Sequence, residues 1–157
     1  MQRILASMLF VVAVTVIGTM AAGAVQAADA PKDRVVAMYF HRTERCPTCQ
    51  KMGSYSEEAV KAAFADEIKE GKVAFYDIDF QAAQNAKYVK AYGISGPALI
   101  VVKISDNKVV SRRNLEDIWS HVRDKAAFLR YVQENVKAAM GERTANSGRS
   151  PSYSSSR

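Results

Sequence analysis

The chain has only two cysteines, and they stand three positions apart, as Cys46-Pro47-Thr48-Cys49. The pattern around them changes character within a few residues. Arg34 to Phe40 (RVVAMYF) is a short β-branched and aromatic run, whose length and composition predict a buried strand. HRTER follows as a loop, and CPTCQKM reads as the start of a helix. Pro47 suits the first helical position, where its missing N–H has no bond to lose. Both sulfurs are therefore placed at a strand-to-helix junction, with Cys46 at the helix N-terminus and Cys49 one turn inward.

The rest of the chain continues that alternation. Gly53-Ser54 is expected to interrupt the first helix, and Ser54-Tyr55-Ser56-Glu57 has capping-box spacing. A second helical piece is predicted over about Glu57 to Glu70, with Ala59, Val60, Ala63, Phe64 and Ile68 at helical spacing and Gly71 as its stop. Lys72 to Phe80 reads as a strand with Val73, Phe75 and Ile78 facing inward. Gln81 to Tyr92 reads as a helix closed by Gly93. Ile94 to Pro97 forms a turn. Ala98 to Ile104 and Val109 to Arg113 are strands joined by a hairpin turn at Ser105-Asp106-Asn107-Lys108. Leu115 to Val122 is a short helix or turn. Asp124 is placed to cap a last helix, about Lys125 to Met140, which buries Phe128, Leu129, Val132 and Val136. Trp119, Phe128 and Tyr131 read as core or helix-packing residues. The long crossover between the first two strands asks for parallel pairing. The fold class is α/β, a central mixed sheet of about four strands flanked by helices.

The two ends differ from this core. Arg3, the apolar run Ile4 to Ile17 and the small residues ending at Val25-Gln26-Ala27 have the three-part layout of a secretory signal peptide over residues 1–27. Export to the periplasm is the expectation, with a periplasm-facing membrane anchor as the alternative if the leader is uncut. From Gly141 the chain is rich in Ser, Arg and Gly and poor in aliphatics; a disordered tail over 141–157 is expected. One domain over 28–140 remains. The net charge of +6 is dispersed, with no Lys/Arg block interleaved with aromatics, which argues against nucleic-acid binding.

The cysteine motif after the first strand, with Pro97 just before the third, resembles the thioredoxin superfamily over roughly Arg34 to Met140. The wording YFHRTERCPTCQKMGSYS and NLEDIWSHVRDKAAFLRYVQ is similar to a family of small exported thioredoxin-like proteins named as a subunit of a nitrophenyl-arsenical nitroreductase system. The resemblance implies a cis Pro97 facing the cysteine pair, an electron-transfer role and no bound organic cofactor. It also implies dithiol or disulfide protein partners, among them a membrane electron donor and a terminal reductase. The chain departs from the superfamily pattern in three places. Arg45 precedes the first cysteine, Gly96 precedes the proline, and VVAMYF lacks the family's buried aspartate. His41 and Glu44 are the nearby candidates for a proton acceptor.

A thiol at a helix N-terminus meets unpaired N–H groups and the positive end of the macrodipole, both of which favour the thiolate. Arg42 and Arg45 are expected to add to that. Cys46 is thus the expected nucleophile, and the more inward Cys49 the resolving thiol. Two other readings of the pair stand beside this one. His41 with Cys46 and Cys49 could hold a soft ion such as Cu(I). A purely structural disulfide is the third, although so small a ring stabilises little by chain entropy.

Overall fold

The computed structural model describes residues 30–141. The leader read over 1–27 and the tail beyond Gly141 lie outside them. Strand β1 spans Arg34–His41, β2 Val73–Asp79, β3 Ala98–Ser105 and β4 Lys108–Asn114. Helix α1 spans Pro47–Ala63, α2 Ala65–Lys69, α3 Ala86–Tyr92, α4 Ile118–His121 and α5 Lys125–Gly141, with a single 3-10 turn at Ala83–Asn85. The strands form one sheet in the order β2-β1-β3-β4. β1 pairs parallel with β2 and antiparallel with β3, and β4 pairs antiparallel with β3. This is the mixed four-stranded sheet flanked by helices that the sequence predicts.

The central strand β1 is buried on both faces, which is why it reads as an unbroken apolar run rather than an alternating one. Val35, Ala37 and Tyr39 point to one layer, with Leu99, Val101 and Val73; Met52, Val60, Phe128, Val132 and Val136 of α1 and α5 cover them. Val36, Met38 and Phe40 point to the other layer, with Ile78, Ile100 and Val102. The period of two therefore separates Val73 and Phe75 from Ile78, which is buried as expected but in the opposite layer.

Three local signals act as their chemistry predicts. Asp106 and Asn107 both take positive φ, 48° and 60°, the backbone that a two-residue hairpin turn demands. Gly93 closes α3 in the left-handed conformation, and the N–H of Ile94 returns to Val89 O. Asp124 Oδ1 accepts the N–H of Ala127 at 3.0 Å, capping α5.

Elsewhere the structure departs from the sequence reading. Helix α1 runs through Gly53 and Ser54 without a break, so Ser54 and Glu57 form no capping box; Glu57 pairs with Lys61 on the helix surface instead. The helix predicted from Gln81 begins later. Asp79 first organises a turn, accepting the N–H of Gln81 through Oδ1 and the side chain of Asn85 through its carbonyl. Trp119 is 48% exposed on α4 rather than packed in the core. Among the described residues no helix is long and apolar enough to cross a membrane.

Candidate functional site

The loop from β1 delivers Cys46 to the N-cap of α1 with extended backbone (φ −70°, ψ 159°), and Pro47 opens the helix. Cys46 Sγ accepts the N–H of Cys49 at 3.2 Å. The two thiols are unlinked, with their sulfurs 2.8 Å apart. Cys46 is exposed and Cys49 is buried. That asymmetry follows from one helical turn: the N-cap faces solvent, while the position three residues on lies over the sheet beside Tyr39 and Met52.

The asymmetry extends to the proton. Cys46 is held below the ordinary thiol value, first by the hydrogen bond from the Cys49 thiol and then by the backbone N–H of Cys49, with Thr48 and its own N–H adding to it. Burial pushes Cys49 up, as do its donation to Cys46 and the charge there; Arg45 acts in the opposite direction. The two thiols thus differ in exposure and are shifted in opposite directions by their places at the helix start.

The arginines sit differently from the expectation that both would favour the Cys46 thiolate. Arg42 turns away and places its guanidinium 5.8 Å over the ring of Phe80. Arg45 folds back behind the helix. Its Nη2 donates to both Oδ1 and Oδ2 of Asp77 at 2.8 Å, and its guanidinium carbon lies 5.8 Å over the ring of Tyr39. Arg45 Nε is buried without a hydrogen-bond partner among the described residues. A buried N–H left unpaired costs about 1–3 kcal/mol, set against the two bonds to Asp77 and the contact with the Tyr39 ring.

Gly53 makes room for that arginine. A Cβ there would stand 3.0 Å from Arg45 Nη2 and 3.0 Å from Tyr39 Cε1. The glycine that reads as a helix interruption is instead an opening in the helix wall. Tyr39 completes the arrangement: fully buried, it donates its hydroxyl to Cys49 O at 2.9 Å. Burial, above all, raises its phenol well beyond the ordinary tyrosine range, so it stays a donor.

The two proton-acceptor candidates are not brought to the sulfurs. His41 donates Nδ1–H to the carbonyl of Arg42 at 2.7 Å, and its Nε2 lies 3.4 Å from Asp77 Oδ1. Glu44 is exposed on the loop. That loop is braced to the end of β2, where Thr43 Oγ1 donates to Asp79 Oδ2 at 2.7 Å and Thr43 N to Gln81 Oε1 at 3.0 Å. Pro97 immediately precedes β3, whose Ala98 pairs with Phe40, so it lies at the end of the sheet from which the cysteine loop leaves. The cis bond implied by the resemblance is not present, since no cis peptide occurs among the described residues. The trans form is favoured at X–Pro bonds by about 0.5–1 kcal/mol. The three-ligand Cu(I) set with His41 does not assemble: among the described residues no group of three or more His, Cys, Asp or Glu side chains is placed to hold a metal ion, which leaves the two thiols by themselves as a soft-ligand pair there.

Tyr39, Asp77 and Gly53 join the site without a motif to announce them. The one signal that links two of them is strand register. Pairing VVAMYFH in parallel with VAFYDID sets Tyr39 opposite Asp77.

No family model and no curated protein matches the chain. Among solved structures, it is similar to a thioredoxin from Thermus thermophilus, at 20% identity over 69% of this chain and 77% of that one, with a TM-score of 0.41. A Malassezia sympodialis thioredoxin matches at 21% identity over 66% and 79% of the two chains, with a TM-score of 0.40. A Fasciola hepatica thioredoxin matches at 24% identity over 64% and 83%, with a TM-score of 0.36. Likeness of this extent has no bearing on activity.

Proposed function

We propose that the protein is a thiol–disulfide oxidoreductase or electron carrier that works through Cys46 and Cys49. The observation that carries this reading is the pairing of an exposed thiol, held toward its thiolate at a helix N-cap, with a buried thiol 2.8 Å away that keeps its proton. A structural bridge has no need of that difference, and exchange depends on it. Cys46 attacks one sulfur of a partner disulfide; the partner's other sulfur leaves with the electron pair and takes up a proton. Cys49 then loses its proton and attacks Cys46. The bond between Cys46 and the partner breaks, and the partner departs as a dithiol. Two electrons pass from this protein to the partner, and the Cys46–Cys49 disulfide remains. The reverse sequence oxidises a partner dithiol.

Export to the periplasm, supported by the layout of residues 1–27, and delivery of electrons from a membrane donor to a reductase, supported by the resemblance in HRTERCPTCQKMGSYS, are the finer parts of the proposal. The test is insulin reduction driven by a small dithiol, comparing wild type with Cys46→Ser and Cys49→Ser. Wild type is expected to turn over and Cys46→Ser to be inactive. Cys49→Ser is expected to accumulate a mixed disulfide through Cys46. Equal activity of wild type and Cys46→Ser would overturn the proposal.

A further inference from the structure

We propose that Arg45 is a positioning residue for the second half of the exchange, supplying from behind the helix the positive charge that Cys49 needs in order to attack. This inference rests on the exchange reading above. In the mixed disulfide Cys46 is bonded to the partner, so it neither accepts a hydrogen bond as a thiolate nor repels a second negative charge. Cys49 still lies buried against the sheet and must ionise there. Among the described residues the wall it faces offers no free base, the Asp77 carboxylate being tied to Arg45 through both oxygens. Tyr39 donates to the Cys49 carbonyl and stays protonated, His41 is bound to Arg42 O and faces Asp77, and Glu44 is exposed on the loop.

What the wall does offer is a fixed cation. The Arg45 guanidinium is lodged over the Tyr39 ring and against Gly53, one turn beyond Cys49 on the same helix, and Asp77 clamps it through Nη2. Three elements, β1, α1 and β2, contribute to holding it. The lodging leaves Nε buried without a partner and requires a glycine in mid-helix. Arg45 also opposes the burial that keeps Cys49 protonated. In the resolving step Cys49 releases its proton to solvent and its thiolate forms the bond to Cys46 Sγ. The Cys46–partner bond breaks, and the electron pair leaves on the partner sulfur, which is then protonated.

The experiment uses the full chain carrying Cys46→Ala, which leaves Cys49 as the sole thiol and removes the other thiolate, as the mixed disulfide does. Thiolate ultraviolet absorbance is followed against pH with Arg45 intact and in Arg45→Met, Arg45→Gln and Arg45→Lys, each checked for folding by circular dichroism. The neutral variants are expected to raise the Cys49 midpoint by about one pH unit, a roughly tenfold loss of thiolate at fixed pH. Arg45→Lys is expected to keep the midpoint near that of the Arg45 parent. Arg45→Gln retains an amide donor for Asp77, so it decides the matter if Arg45→Met fails to fold. A folded neutral variant with an unmoved midpoint would overturn the role of Arg45. That outcome is distinct from failure of the exchange reading, which would show as a wild type unable to reduce insulin.

Discussion

Gly53→Ala is the substitution whose sign most sharply separates this structure from its sequence. At an ordinary helix position, alanine gains about 0.5–1 kcal/mol over glycine from backbone entropy. Gly53 lies inside α1 and is buried, so that gain is available. Against it stands the close approach, with the new Cβ 3.0 Å from Arg45 Nη2, 3.0 Å from Tyr39 Cε1 and 3.1 Å from Tyr39 Cδ1. Neither neighbour yields freely. The Tyr39 ring is fully buried and its hydroxyl is bonded to Cys49 O, while the guanidinium is tied to both Asp77 oxygens. Overpacking of this kind costs about 1–3 kcal/mol. The balance is a net destabilisation centred on about 1 kcal/mol, or a Tm lowered by roughly 2–8 °C. The assay is urea unfolding and thermal denaturation of the reduced protein, with Ser54→Ala, the exposed neighbour on the same helix, as control. A Gly53→Ala protein more stable than wild type by about 0.5–1 kcal/mol would show that glycine's place here is not set by Arg45 and Tyr39.

Three further outcomes follow from the same contacts. Tyr39→Phe removes one buried hydrogen bond to Cys49 O and should lower stability by about 0.5–1.5 kcal/mol in urea unfolding; the variant should also lose one tyrosine from those that titrate only on unfolding. Asp124→Ala removes the cap on α5 and should cost about 1 kcal/mol, read as a shifted urea midpoint with unchanged slope. The reduced protein should also show a rise of stability with pH, below the ordinary thiol range, that Cys46→Ser lacks. Cys46 ionises at lower pH folded than unfolded, so its contribution is fully present above the unfolded thiol value and is lost as pH falls through the folded one. Cys49 is raised and acts in the opposite sense, its contribution being lost as pH rises through its own folded value. Stability of the reduced form should therefore climb with pH up to the ordinary thiol range and fall beyond it. A flat profile would contradict both assignments.

The parts of the fold that sequence reading finds are those with a local cause. The Asp106-Asn107 hairpin, the Gly93 stop and the Asp124 cap each depend on a few adjacent residues, and each forms where the letters place it. The cysteine pair at a strand-to-helix junction is legible for the same reason, because Pro47 and the change of period mark the helix start. What escapes is set by packing across the sheet. Gly53 reads as a break because a glycine in mid-helix usually weakens it; its reason lies in Arg45, eight residues earlier, and in Tyr39 on another element. Asp77 belongs to no motif, and only register sets it opposite Tyr39. Ile78 reads as inward, which is correct, but a strand covered on both faces has two inward sides. Trp119 shows the opposite limit: size and hydrophobicity suggest the core, yet the four-residue helix that carries it buries Ile118 instead.

The most direct test of the central claim is the pH profile of iodoacetamide labelling of the fully reduced protein, with each cysteine quantified separately by peptide mass. The account predicts that Cys46 is labelled selectively, with a midpoint clearly below that of an ordinary thiol, while Cys49 stays protected until more alkaline pH. Equal labelling of the two, or a Cys46 midpoint at or above the ordinary thiol value, would contradict it.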